Sequence, residues 1–93
     1  MPKVILKGYI LVTDTDLAAV KKELLNHIQL TRQEEGCLVF EVSQDTENSN
    51  RFNVYEEFTD SISFESHQKR VRNSRWGEVS ENVSRHYQIN DGD

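Results

Sequence analysis

Residues 4–12, VILKGYILV, predict a β-strand that is apolar on both of its faces. Alternation sends Val4, Leu6, Ile10 and Val12 to one side, and Ile5, Lys7, Tyr9 and Leu11 to the other. Few folds of a short chain satisfy such a strand, because both sides need cover. Gly8 in its middle marks a bulge or a close approach to the backbone.

The remaining elements follow by periodicity. Thr13 or Asp14 can cap a helix reaching about residue 35, with Leu17, Val20, Leu24, Ile28 and Thr31 as its apolar stripe. Gly36 reads as its left-handed stop, and Arg32 as a partner for its last carbonyls. Residues 37–44 predict a second strand, with Leu38, Phe40 and Val42 on one face and Cys37, Val39 and Glu41 on the other. The polar run 45–50, DTENSN, predicts a hairpin into a third strand at residues 51–58. There Phe52, Val54, Glu56 and Phe58 share one face, and Asn53, Tyr55 and Glu57 the other. Asp60 or Ser61 opens a second helix carrying Phe64, His67 and Val71 at one-sided spacing. A short helix at about residues 74–82, a strand at 83–89 and a polar tail at 90–93 complete the chain.

This order predicts an α+β fold, the ferredoxin-like βαββαβ antiparallel sheet with its helices on one face. The chain forms one domain, residues 1–93, with a core at about residues 3–89. Helices cover one side of the first strand, and a single chain has nothing left for the other. A symmetric partner would bury it, so the pattern predicts a homodimer. At 93 residues the chain buries only roughly 60–65% of its unfolded surface, which also favours pairing.

Composition removes several classes of function. A net charge of −5 argues against a general nucleic-acid or anionic-membrane surface. No apolar run reaches the roughly 18–20 residues of a membrane span. A single cysteine, Cys37, fits a reducing compartment, and the alternating N-terminus reads as a strand and not a signal peptide. The expected location is the cytoplasm. His27, His67 and His86 sit on three elements without metal-ligand spacing, and no glycine-rich nucleotide motif occurs. Neither a metal nor a cofactor is expected.

Glu56 and His67 are the candidate catalytic residues. A carboxylate on a face with Phe52, Val54 and Phe58 is costly unless paired or protonated, which suits a tuned acid or base. His67 lies on the apolar face of its helix, so its ring points at the sheet. The plainer alternatives are a strand-end carboxylate reaching water and a satisfied core histidine. Lys69, Arg70, Arg72 and Arg75 form a basic cluster that either steers an anion or is a solvated helix face.

The chain resembles the antibiotic biosynthesis monooxygenase family. The resemblance runs over about residues 3–89. It rests on His27 with Thr31-Arg32, then Glu35-Gly36-Cys37-Leu38-Val39-Phe40-Glu41-Val42, then Val54-Tyr55-Glu56-Glu57-Phe58-Thr59-Asp60, Phe64 with His67, Trp76-Gly77, and Tyr87. It implies a dimeric α+β barrel with a pocket between sheet and helices in each protomer. Relatives include cofactor-free oxygenases of quinol- or anthrone-like aromatics, haem degraders, and isomerases of small phosphorylated sugars. Carried over, Glu56 and His67 are the acid–base pair, and Phe64 and Trp76 are pocket walls. Tyr55, Tyr87 or a backbone amide would supply the oxyanion donor, and Phe58 is a further substrate-binding position. Phe58 replaces a Trp of many relatives, and Lys7-Gly8 replaces the Asn of haem degraders, so the likeness does not extend to haem cleavage. The expected activity is a monooxygenase taking a small aromatic substrate and O2 without a cofactor. The alternatives are an isomerase gripping a phosphate through Arg70, Arg72 or Arg75, and a ligand-binding domain without catalysis.

Overall fold

The computed structural model describes residues 3–90. Its elements are β1 Val4–Leu11, α1 Leu17–Arg32, β2 Cys37–Gln44, β3 Arg51–Phe58, α2 Ser61–Arg72, α3 Arg75–Val79 and β4 Ser84–Asn90. The four strands form one antiparallel sheet in the order β2-β3-β1-β4. This is the ferredoxin-like α+β arrangement that the periodicity predicts. The strand apolar on both faces has a neighbour on each side.

The helices pack on one face of the sheet. Val4, Leu6, Ile10, Phe52, Val54 and Phe58 point at them and are buried. Val20, Leu24 and Trp76 close over Ile10 and Phe52 to make the core. Each fully buried large apolar side chain contributes roughly 1.5–3 kcal/mol. The opposite face keeps Ile5, Tyr9 and Leu11 half-buried. There Tyr9 stacks on His86 at 4.7 Å, and the Arg51 guanidinium lies 3.7 Å from the Tyr9 ring centre.

Local chemistry sets the boundaries. Asp60 accepts from the Ser63 amide at 2.8 Å to start α2, and Ser74 accepts from Gly77 at 3.2 Å to start α3. Asp16 caps α1 without a side-chain bond, while the Thr13 hydroxyl accepts from the Asp16 amide at 3.4 Å. Asp45 accepts from the amides of Glu47 and Asn48 in the β2–β3 hairpin.

Four expectations need correction. Helix α1 ends at Arg32, and Gly36 is not its left-handed stop, since Gly8 is the positive-φ glycine among the described residues. Gly36 is small because a Cβ there would collide with the Ser63 hydroxyl. Arg32 bonds the Phe40 carbonyl of β2 at 3.0 Å, not the last carbonyls of its own helix. A register shift between Cys37 and Val39 leaves Leu38 as the extra residue, 52% exposed. Cys37 therefore sits opposite Phe58, on the helix side, and does not share a face with Val39. Asn90 belongs to β4; the rest of the expected tail, residues 91–93, lies outside the described residues. Among the described residues no helix is long and apolar enough to cross a membrane.

Candidate functional site

Strand β3 alternates strictly, so Glu56 falls on the helix side between Val54 and Phe58. It is 6% exposed. Helix α2 places His67, 4% exposed, above it, with the ring 4.9 Å from that of Phe58. A cavity of about 220 Å³ opens between sheet and helices, and both residues line it. Its floor is Leu6, Ile10 and Val54; Trp76, Phe40 and His27 form an aromatic side.

The loop after α1 completes the site. The Gly36 carbonyl accepts from the Thr59 amide at 2.9 Å, which holds the loop against the start of α2. Glu34, two residues earlier, accepts from His67 Nδ1 at 2.9 Å. Arg70, one turn along α2 from His67, donates through Nε to the other oxygen of Glu34. Its Nη2 donates to the Thr31 hydroxyl at 2.9 Å. The carboxylate is thus clamped from two sides, and the imidazole ring has one orientation.

This fixes the proton inventory. A carboxylate can only accept, so Nδ1 carries the hydrogen and Nε2 keeps its lone pair. Nε2 stands 4.0 Å from Glu56 Oε1, beyond hydrogen-bond reach. Burial pulls His67 below the usual 6.5, partly offset by Glu34, so the ring is neutral at pH 7. Burial, with the charge of Glu34 added, pushes Glu56 up to about 8. Its carboxyl therefore keeps its proton at neutral pH. Burial also drives His27 down to about 3. His27 stacks on Trp76 with ring centres 4.7 Å apart and planes within 4°.

Two buried polar atoms lack a partner among the described residues: His27 Nδ1 and Glu56 Oε1. Both belong to cavity-lining residues. Buried polar groups left unpaired are uncommon and costly, and here both belong to one pocket. Among the described residues no group of three or more His, Cys, Asp or Glu is placed to hold a metal ion.

A sequence profile described as antibiotic biosynthesis monooxygenase matches residues 4–78. The chain belongs to the antibiotic biosynthesis monooxygenase family. Solved structures share its fold. A candidate antibiotic biosynthesis monooxygenase from Nitrosomonas europaea superposes with a TM-score of 0.83 at 18% identity, covering 97% of this chain and 89% of that one. A second, from Deinococcus radiodurans, gives 0.76 at 22% identity, covering 97% and 92%. A conserved protein from Bacteroides thetaiotaomicron, described as a possible oxidoreductase, gives 0.81 at 14% identity, covering 97% of each chain. No curated protein matches the chain.

Within this monooxygenase-family fold, the residues singled out from sequence divide into three groups. Glu56, His67, Trp76 and Tyr87 line one cavity. Phe58 and Phe64 stand behind it, ring against ring at 5.6 Å, with Phe58 supporting His67. Tyr55 points to the other face of the sheet, where its hydroxyl bonds Glu57. Three residues of the site escaped sequence reasoning. Glu34 orients His67, His27 packs the aromatic wall, and Arg85 of β4 lines the cavity beside Tyr87. The basic cluster does not line the cavity: Arg70 is held by Glu34, and Arg75 by Glu78 at 3.2 Å.

Proposed function

We propose that this family member is a cofactor-independent monooxygenase acting on a small quinol-like aromatic. The observation that carries the reading is His67 itself. Its Nδ1 is tied to Glu34 and its Nε2 lone pair faces the cavity beside Glu56. A neutral imidazole held this way is a general base aimed at a bound ring.

His67 takes the phenolic proton of the quinol. The electron-rich phenolate then reduces O2, and a carbon–oxygen bond forms at a ring C–H position. Loss of water leaves a hydroxyquinone, so quinol plus O2 gives hydroxyquinone plus water with no outside reductant. Glu56, protonated below about pH 8, donates a hydrogen bond to the developing oxygen anion. Tyr87 offers a second donor, its phenol pushed up to about 12 by burial although the residue as a whole keeps 37% of its surface.

Cavity volume favours the quinol-like reading over the anthrone-like one. About 220 Å³ is half again the roughly 150 Å³ that holds a benzene. One substituted ring fits this cavity better than a fused three-ring anthrone. The isomerase reading needs a phosphate held by Arg70, Arg72 or Arg75, and none of these lines the cavity. The reading also takes the active form to be a homodimer, formed through the sheet face that carries Ile5, Tyr9 and Leu11.

The test is oxygen uptake with hydroquinones and anthrones, without added metal or flavin, for wild type and His67→Ala. The expected result is uptake with single-ring quinols that falls about 10²–10⁴-fold in the variant. Uptake no faster than buffer across the panel overturns the proposal.

A further inference from the structure

The cavity wall contributed by β4 carries one unbalanced charge. Arg85 lies opposite Ile10 in the sheet register, and Tyr87 lies opposite Gly8. Both therefore face the cavity side and line it. Arg85 Nη2 donates to the carbonyl and hydroxyl oxygens of the buried Ser80, at 3.3 and 3.1 Å. These bonds anchor one corner of the guanidinium. No carboxylate pairs with it among the described residues.

The other titratable groups of the lining are neutral at pH 7. Glu56 is held up to about 8, His27 down to about 3, His67 below 6.5, and Tyr87 at about 12. A protein of net charge −5 thus builds an aromatic-walled cavity whose one formal charge, on the solvent-exposed Arg85 at its rim, is positive. A planar guanidinium with free donors matches a carboxylate in the plane of an aromatic ring.

We propose that Arg85 is a specificity-determining residue, and that the aromatic ligand of this cavity carries a ring carboxylate which Arg85 binds. The inference names the substrate class for the oxygenase reading and rests on it for turnover. Its binding claim stands without turnover. The carboxylate lies at the β4 side and the hydroxyls at His67 and Glu56, so Arg85 sets which end of the ring meets the base.

Trp76, the chain's single tryptophan, lines the cavity and reports occupancy by its emission. The experiment titrates hydroquinone and gentisate, which is hydroquinone bearing one ring carboxylate, anaerobically at pH 7. The proteins are wild type, Arg85→Gln, Arg85→Lys and the off-site control Arg72→Gln. Gentisate is expected to bind wild type at least about tenfold more tightly than hydroquinone. The preference persists in Arg72→Gln, shrinks in Arg85→Lys and disappears in Arg85→Gln. Equal affinities in wild type overturn the inference, as does a preference retained by Arg85→Gln. Should Arg85→Gln not fold, wild type at rising salt and Arg85→Lys decide the same point. Gentisate preference without oxygen uptake overturns the oxygenase reading and leaves the inference standing. Equal uptake and equal binding with both quinols does the reverse.

Discussion

Glu34 and His67 meet at 2.9 Å across 33 residues of sequence, and the bond decides which nitrogen of the ring is a base. Replacing Glu34 with Gln keeps an acceptor but removes the charge that supports the imidazolium formed during proton transfer. The expected outcome is a fall in kcat of about 10²-fold with little change in KM. The pH profile separates this from a structural role: both limbs should move to lower pH in the variant, the acidic one through His67 and the basic one through Glu56. An unchanged profile with an equal loss in kcat and stability would reduce Glu34 to a packing residue.

Glu56 makes the fold itself sensitive to pH. Its folded value of about 8 lies above the ordinary 4.5, so the folded chain holds a proton that the unfolded chain has lost. From pH 6.5 to 8 stability should fall by roughly 1 kcal/mol per pH unit. Below pH 6.5 the sign reverses for His27 and His67, whose folded forms refuse protons that the unfolded chain accepts. These two offset Glu56 from pH 6.5 down to about 4.5, so the alkaline side gives the clean measurement. Urea unfolding of wild type and Glu56→Gln across that range tests it. The variant should show no decline, and parallel curves would refute the assignment.

Gly8 has φ of +157°, and a Cβ there would strike the His86 carbonyl of β4. Gly8→Ala should therefore push β4 away from β1 and cost about 2 kcal/mol or more. A thermal melt reads the loss, and gentisate titration should weaken with it because Arg85 and Tyr87 ride on β4.

Cys37 sits opposite Phe58 on the helix side, and burial raises its thiol above 9.0, with Glu34 and Glu56 adding to the effect. A disulfide reagent at pH 8 should react with the folded protein roughly tenfold more slowly than with the urea-unfolded chain. Equal rates would place the thiol in open solvent.

The fold was legible because its signals are local and repeat. The two-sided residues of β1, the alternation of β3 and the Asp60 cap each name an element without help from distant parts. The site was legible only where it shares those periods. Glu56 and His67 lie on an alternating strand and a helical stripe, and the structure brings both to the cavity. His27 also lies on such a stripe, with Val20, Leu24 and Thr31 buried on the same face of α1. Drawing the stripe by hydropathy alone sends it through Ile28, which hides the histidine. Glu34 carries no periodic signal, since it stands in a loop and its partner comes from another helix. The Leu38 bulge was invisible for a related reason: strand alternation has no term for an inserted residue, and one insertion moved Cys37 to the other face.

The 4.0 Å between His67 Nε2 and Glu56 Oε1 has a further consequence. A direct bond would need the atoms to close by about 1 Å, and the ring cannot swing over without stretching its hold on Glu34. On the proposed reading, the free protein therefore holds acid and base in sight of each other without a hydrogen bond between them. An incoming hydroxyl that touches both would then act as the missing link, the guest supplying the last contact.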